Sequence, residues 1–438
     1  MITDAFWLVT LTICALYGLK SPYIALYTVL FVDILKPQQL SFGFLAGKPL
    51  SLAVTLVLLI SLILNIKKLQ TPRIPSITFV LLCFIGWITY TTSIAQFPGP
   101  AWFKYDYVIK TIVMTLTIPF ILNNRLKVEM ALCAIVAGVS YYVLTGGIRT
   151  ALGQGGYGMP LVSTPLGDSE IAETSTLSMV AVFTIPLLLY IRNHSLFRDQ
   201  IPFLKPLTLF LVACCILTVI GTYARTGLVG LAVLLFLYFF SSQHKVILAL
   251  SSVVLTIGLI AFASDAYVSR MQTLENATEE SSALGRILVW RWTIDYVSER
   301  PLTGGGFDSY IANAGQLHQY LQSGVDLNLK PNQPKAFHNI FFEVLGEQGY
   351  VGLFMYILLI FRAWHLNWKL SRDCMAEPAP RAIATALHQV IIIYCVCGMF
   401  IGVAYAPWVF YFIGISSGLQ NILAVPQKRS AKRGRKLV

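Results

Sequence analysis

The sequence predicts an all-α polytopic membrane protein, and composition and hydropathy carry that prediction. Of its 438 residues, 56% are hydrophobic and only 12% are charged, and the mean hydropathy is +0.70. A membrane-spanning helix needs about 20 mainly apolar residues, and stretches of that kind recur along the chain, which predicts about 12 transmembrane helices. No stretch has the composition of a soluble domain.

The apolar stretches follow one another with short connections. They cover residues 50–65, 75–92, 107–123, 128–146, 172–191, 206–222, 226–241, 246–263, 339–362, 384–404 and 408–424. Two shorter runs, 5–18 and 23–35, are separated by Lys20-Ser21-Pro22 and form either two short helices or one hairpin. The chain begins without a basic segment, so we expect no cleavable signal peptide.

Basic residues predict the orientation. The net charge is +12, but the lysines and arginines cluster in short loops and in the C-terminal tail, as the positive-inside rule requires of cytoplasmic segments. This pattern predicts contact with membrane lipids and no nucleic-acid partner. It places the loops at about 147–171 and 264–337 on the exported side of the membrane.

The predicted organisation has four parts. Residues 1–263 form an N-terminal transmembrane bundle, and 264–337 form the large periplasmic loop. Residues 338–424 form the C-terminal transmembrane helices, and 425–438 form a basic cytoplasmic tail. Within the loop, a helix from Ser281 or Ser282 to about Arg300 places Ile287, Trp290, Ile294 and Val297 at helical spacing, with Trp292 as a second aromatic. We expect it to lie on the membrane surface with its tryptophans at headgroup depth. Residues 311–336 are polar and form either a substrate-handling flap or a plain linker.

Cysteines and histidines predict neither disulfides nor a metal. No cysteine falls in an exported loop, and no cysteine–histidine cluster has the spacing of metal ligands. We therefore expect no metal and no cofactor.

His338 is the candidate catalytic residue. It lies where the polar loop meets an apolar run, in Lys335-Ala336-Phe337-His338-Asn339-Ile340. An imidazole accepts a proton near neutral pH, and at this position it can reach a lipid-linked substrate and a water-exposed acceptor. The alternative is a histidine that only anchors a helix at the interface.

Arg225 and Arg286 are the candidate diphosphate-binding residues. Both break the positive-inside pattern, and intramembrane or interfacial cations are usually paired or functional. Arg286 opens the predicted surface helix, where an anion would also meet the positive end of that helix. Lys110, Arg149 and Asp168 are secondary candidates; for Lys110 an ion pair with Asp106, four residues earlier, is the favoured alternative.

Several short motifs, in this order, resemble the O-antigen ligase and polymerase superfamily. They are Ala224-Arg225-Thr226-Gly227, Gly285-Arg286 with Trp290, Pro301-Leu302-Thr303-Gly304-Gly305-Gly306, Phe337-His338-Asn339 and Glu347-Gln348-Gly349. The resemblance covers about residues 160–360. The stretch around Asp168 is also similar, but Ser169 and Glu170 stand where the family usually has asparagines. The N-terminal segment is similar to members linked with exosortase-type systems.

The resemblance implies a metal-independent glycosyltransferase. Such an enzyme moves a glycan from undecaprenyl diphosphate to an acceptor at the periplasmic face, with His338 as the base and Arg225 and Arg286 on the diphosphate. We favour an O-antigen ligase, whose acceptor is the lipid A–core oligosaccharide. An O-antigen or exopolysaccharide polymerase and a protein O-oligosaccharyltransferase are the alternatives of the same class.

A transporter of the same lipid-linked glycan is the alternative of another class. Transporters carry ionisable groups near the middle of the membrane. Asp33 and His388 are the candidates for such a depth, whereas the other unusual charges cluster at one face, which favours an enzyme.

Overall fold

The computed structural model describes residues 2–69, 76–156, 161–164, 170–241, 278–320, 333–373 and 377–423. Several of the predictions above fall wholly or partly on residues outside this part of the chain: the apolar run 246–263, Asp168, the start of the loop at 264–277, the polar segment 311–336 at its residues 321–332, and the basic tail. Every regular element that the structure describes is helical, so the all-α class is confirmed.

The helices follow the apolar runs closely. We number them α1 (Ile2–Lys20), α2 (Pro22–Leu35), α3 (Pro37–Leu40), α4 (Leu50–Leu64), α5 (Ser76–Ser93), α6 (Pro98–Ile121), α7 (Arg125–Ala151), α8 (Thr174–His194), α9 (Leu204–Thr222), α10 (Arg225–Ser241), α11 (Thr278–Ser298), α12 (Ile340–Ser371), α13 (Pro378–Gly398) and α14 (Pro407–Leu423). Single turns of 3-10 helix occur at Ile66–Lys68, Ser309–Asn313 and Leu317–Tyr320.

Five of the described helices are long and apolar enough to cross a membrane: α7, α8, α9, α12 and α13. Three others, α4, α5 and α10, are apolar but shorter. The chain is therefore a multi-pass membrane protein. The count of about 12 crossings stays a prediction.

Helix α8 lies at the centre of the bundle. It packs against α7, α9, α10 and α13, and 83% of its most apolar stretch is buried inside the protein. A helix that is apolar on all sides satisfies its backbone internally and can be surrounded by other helices, which explains its position.

The helix termini meet at two ends of the bundle, which we name after one residue each. At the His338 end, the Asn339 side chain donates to the Met399 carbonyl at 3.1 Å, and the Gln96 amide donates to the Gly305 carbonyl at 2.9 Å. At the Arg125 end, the guanidinium of Arg125 donates to the His194 carbonyl at 2.6 Å. The loops after α6 and α8, which are flanked by basic residues, lie at the Arg125 end.

The helix predicted within the loop is confirmed as α11, and its position on the membrane surface stays a prediction. It begins at Thr278, three or four residues before the predicted cap, and ends at Ser298. Trp292 is 1% exposed and packs with Val289, Leu317 and Phe337, so its ring contacts the protein interior. Ile287 and Ile294 are exposed, because the buried face of α11 is centred on Val289 and Trp292.

Helix α12 contains a break that the glycine motifs explain. Gly349 has φ +65°, which interrupts the helix and frees its carbonyls. The amides of Gly305 and Gly306 donate to the carbonyls of Gly346 and Glu347, each at 2.9 Å. A Cβ on Gly304 would lie 2.6 Å from the Gly346 oxygen. The glycine run after Pro301 therefore supplies hydrogen-bond donors to the carbonyls that the break in α12 leaves free.

Candidate functional site

The site is built around the N-terminus of α12. Asn339 caps this helix: its side-chain oxygen accepts from the amides of Phe341 at 2.8 Å and Phe342 at 3.3 Å. His338 precedes the cap, with φ +48° and an exposed side chain. A left-handed backbone at a residue other than glycine costs about 1–2 kcal/mol and is found preferentially at functional sites. The cap and the turn together fix the position of the imidazole.

Helix α11 is held against this turn by Trp290. Its indole nitrogen donates to the Phe337 carbonyl at 2.9 Å, and its ring stacks on Phe342 with centroids 5.2 Å apart. Arg286 lies one helical turn before Trp290, on the same side of α11. Docking of α11 through Trp290 therefore brings Arg286 to His338.

The electrostatic surroundings keep His338 unprotonated at neutral pH. The residue keeps an exposed surface, but the protein packed around its ring lowers the pKa of His338, and the nearby Arg286 guanidinium lowers it further. The carboxylates of Glu173 and Glu343 act in the opposite direction and do not cancel these effects. A neutral imidazole has a free lone pair, so it can accept a proton from a substrate.

Lys335 adds a second cation beside Arg286. The Asn313 side chain fixes the Lys335 backbone: it donates to the Lys335 carbonyl at 2.7 Å and accepts from the Lys335 amide at 2.9 Å. The Lys335 ammonium lies so close to α11 that a Cβ on Gly285 would be 2.9 Å from it. Partial burial lowers the pKa of Lys335. We singled out only His338 from this stretch of sequence, so Lys335 was missed.

Arg225 lies at the His338 end of the bundle, next to the end of α13. It is the first residue of α10, after Tyr223 has turned the chain with φ +53°, and its side chain is exposed. The carbonyl of the next residue, Thr226, accepts from the Cys397 thiol at 3.5 Å, at the end of α13. The end of α13 also contacts Asn339 through Met399, so α13 links Arg225 to the His338 region.

The helix-terminus argument applies to a different arginine from the one predicted. Arg286 lies two turns inside α11, because that helix begins at Thr278. The field of a helix terminus falls off within the first turn, so Arg286 gains nothing from it. Arg225, at the first position of α10, is the arginine that lies at a positive helix end.

The secondary candidates are engaged elsewhere. Lys110 forms the predicted ion pair with Asp106. Arg149 donates to the Leu161 carbonyl at 2.8 Å, which ties the end of α7 to the following loop. Asp168 lies outside the described residues.

A buried ion cluster behind His338 was not predicted. The Lys104 ammonium lies 2.8 Å from Glu347, 2.9 Å from Glu343 and 3.5 Å from Asp308. The other Glu343 oxygen accepts from the Ala404 amide at 3.0 Å, and Glu347 accepts from the Asp308 amide at 2.9 Å. The cluster joins α6, α12, the segment after the glycine run and the segment before α14.

One sequence signal for this cluster existed. Two glutamates four residues apart, inside an apolar run, require a cationic partner, because a buried carboxylate without one is costly. Lys104 is that partner, but sequence spacing alone does not pair α6 with α12.

Metal ligation has no obvious place among the described residues. No group of three or more histidine, cysteine, aspartate or glutamate side chains in that part of the chain has the geometry to hold a metal ion. The three carboxylates that do converge surround the Lys104 ammonium. Their negative charge is thus directed at a protein cation.

Comparison with protein-family models supports the resemblance. Residues 210–357 match the model described as O-Antigen ligase, and residues 2–196 match a family of unknown function, DUF5935. No curated protein matches the chain. The O-antigen ligase match contains Arg225, Arg286 and His338, so the predicted resemblance to the O-antigen ligase superfamily is supported over residues 210–357.

Proposed function

We propose that this protein, which is similar to the O-antigen ligase family over residues 210–357, is a metal-independent glycosyltransferase. It moves a glycan from undecaprenyl diphosphate to a hydroxyl group of an acceptor, and the lipid A–core oligosaccharide is the acceptor that we favour. The observation that carries the proposal is the juxtaposition of His338 and Arg286, which the docking of α11 through Trp290 produces.

In the proposed reaction, the imidazole of His338 takes the proton of the acceptor hydroxyl. The acceptor oxygen attacks the anomeric carbon of the donor sugar and forms the new glycosidic bond. The bond from that carbon to the diphosphate oxygen breaks, and its electron pair leaves with the lipid diphosphate. The protonated imidazole then releases its proton to water.

Cations stabilise the departing diphosphate. The planar guanidinium of Arg286 suits bidentate contact with phosphate oxygens, and Lys335 adds a point charge beside it. Arg225, at the N-terminus of α10, is proposed to bind the same diphosphate from the other side. Charge stabilisation of this kind is commonly the largest single contribution to catalysis.

The His338 end is proposed to face the periplasm of a bacterial inner membrane. The basic residues of the loops after α6 and α8 lie at the Arg125 end, which the positive-inside rule assigns to the cytoplasm. In this arrangement residues 1–263 and 338–424 form the membrane-crossing parts, 264–337 form the periplasmic loop and 425–438 the cytoplasmic tail, with about 12 crossings.

The transporter alternative finds less support. Asp33, one of the two residues considered for a mid-membrane position, lies two residues from the end of α2 and accepts from the Tyr411 hydroxyl. His388, the other, stacks on Trp364 with ring centroids 5.7 Å apart. The remaining cations and carboxylates of interest cluster at one end of the bundle, as a one-sided enzyme requires.

The test is a transfer assay with purified protein and undecaprenyl-diphosphate glycan. Product on lipid A–core identifies a ligase, longer lipid-linked chains a polymerase, and glycosylated protein an oligosaccharyltransferase. His338→Ala should reduce the rate about 100- to 10,000-fold, because a general base is lost. His318→Ala, at an exposed histidine of the same loop, is the control and should retain wild-type turnover. Near-normal transfer by a folded His338→Ala variant would refute the proposed role.

A further inference from the structure

The Arg125 end contains a cavity that the transfer reaction does not use. It has a volume of about 350 Å³ and lies between the C-terminal turns of α8 and α10 and the N-terminal turns of α13. That volume lies within the range of small-ligand sites, which is about 300–1,000 Å³.

The lining is cationic and polar, and no residue of it is an aspartate or a glutamate. Arg381 and His194 contribute the basic groups, and Asn193, Gln389 and Ser371 contribute amide and hydroxyl groups. Arg125 and Arg198 lie close enough to act electrostatically on the His194 ring, together with Arg381. The cavity is therefore a region of positive potential.

Arg381 differs from the other arginines of this end. Arg198 pairs with Asp199 at 2.6 Å, Arg125 lies 3.7 Å from Glu129, and Arg192 donates to the Lys205 carbonyl at 2.6 Å. No carboxylate in the described part of the chain lies within ion-pair distance of Arg381, which is half-buried at the cavity wall. A half-buried guanidinium without an internal anion calls for an external one.

The remaining wall is apolar. Pro186 and Leu189 of α8 face Ala382 and Ala386 of α13. A cationic, hydrogen-bonding floor at a helix terminus, next to an apolar wall between helices, matches a phosphate group with hydrocarbon attached.

We propose that this cavity binds a phosphate group, carried either by an anionic phospholipid of the leaflet at the Arg125 end or by a small soluble phosphate compound. Arg381 binds the phosphate oxygens, and the amides of Asn193 and Gln389 complete the site. Binding here is independent of the glycan transfer proposed at the opposite end.

The test uses the full-length purified protein and native mass spectrometry. Phosphatidylglycerol and phosphatidylcholine with the same acyl chains are supplied in equal amounts. The wild type should retain phosphatidylglycerol about fivefold more strongly, as one basic side chain near a membrane surface contributes. Equal retention of the two lipids, with no effect of inorganic phosphate, would overturn the proposal and needs no variant.

Two variants locate the effect. Arg381→Gln should abolish the preference, whereas Lys205→Gln should keep it, because Lys205 carries the same charge at the same end but is bound to Asp199 outside the cavity. Equal losses in both variants would mean general surface charge and would refute the site. Inorganic phosphate that raises the Tm of the wild type, but not of Arg381→Gln, and that removes the lipid preference would identify the soluble source.

Discussion

The two ends of the bundle use charged residues in different ways. At the His338 end, Lys104 has a side-chain exposure of 21%, and its partners Glu343 and Glu347 have 8% and 0%. At the Arg125 end, Arg198, Asp199 and Lys205 form a chain of ion pairs with side-chain exposures of 42%, 65% and 50%. The same chemical interaction is internal at one end and solvated at the other.

This difference indicates different tasks. The buried cluster joins four segments that surround the α12 terminus, so it fixes the geometry in which His338 and Arg286 meet. The exposed pairs connect positions that are close in sequence, in and beside the loop after α8. Exposed ion pairs contribute little to stability, and basic residues in such loops set the orientation of a membrane protein. Precision is thus concentrated at the end where we propose that chemistry occurs.

The largest effect on stability is expected from Lys104→Met. Removal of the ammonium leaves Glu343 and Glu347 without their cation, and breaking a buried pair in this way costs about 3–5 kcal/mol of unfolding free energy. Thermal unfolding in detergent should show a large fall in Tm, and transfer should fall with it because the α12 terminus loses its anchor.

Lys205→Met is the matched control for that variant. It makes the same change at the exposed pair with Asp199 and should leave Tm and transfer unresolved from the wild type. An unchanged Tm in Lys104→Met, or an equal decrease of Tm in both variants, would show that the charged residues at the two ends do not differ in their contribution to stability.

Substitution of the site arginines by lysine should reduce transfer without unfolding the protein. Lysine keeps the charge but loses the planar fork that holds a diphosphate at two oxygens. We expect Arg286→Lys and Arg225→Lys each to lower donor affinity or turnover roughly tenfold or more, as two charge-assisted hydrogen bonds become one.

Arg372→Lys tests whether that loss is specific to the His338 end. Arg372 lies over the Trp368 ring, 4.6 Å from its centroid, at the Arg125 end. Lysine can keep a cation over that ring, and transfer should be unchanged because the residue lies far from the proposed reaction. Wild-type kinetics for both site variants would make Arg225 and Arg286 ordinary interfacial anchors.

The pH profile of transfer should report the contact between His338 and Arg286. Transfer needs the neutral imidazole, so the rate rises with pH through the pKa of His338, which lies below its ordinary value. Arg286 is one cause of that depression. In Arg286→Gln the pKa should rise, and the acidic limb of kcat/KM should move to higher pH. Arg225→Gln is the control for this shift of the acidic limb. If the limb does not move in Arg286→Gln, Arg286 does not act on the pKa of His338, and the proposed contact between the two residues is wrong.

The fold class could be predicted from the sequence because the core of a bilayer contains no water. Segments that cross it must be apolar helices of about 20 residues, and such runs are visible in the sequence. The predicted run at 172–191 corresponds to α8, and the run at 206–222 corresponds to α9. The run at 384–404 was less accurate, since α13 begins at Pro378 and ends at Gly398. Proline at the first turn starts that helix earlier than hydropathy indicates.

Candidate site residues could be chosen from the sequence only where a residue carries its own signal. His338 and Arg286 stand out by position, charge and motif, and the structure brings them together. Lys335 and Lys104 act through partners distant in sequence, such as Asn313 and Glu347. Contacts between residues distant in sequence depend on how the helices pack, and this packing cannot be read from a single sequence by inspection.

The smallest effect is expected from a chelator of divalent metal ions. If a divalent ion neutralised the diphosphate, carboxylates near His338 would have to hold it. Asp308, Glu343 and Glu347 are already directed at the Lys104 ammonium, and Glu173 caps α8 through the amides of Ser175 and Thr176. With these carboxylates occupied by internal partners, Arg286, Arg225 and Lys335 must supply the positive charge. Transfer should therefore proceed at the wild-type rate in EDTA, measured with donor and acceptor that were themselves freed of metal. Loss of transfer in EDTA, restored by a divalent ion, would contradict this and turn attention to Glu170, Glu173 and Asp168 as ligands.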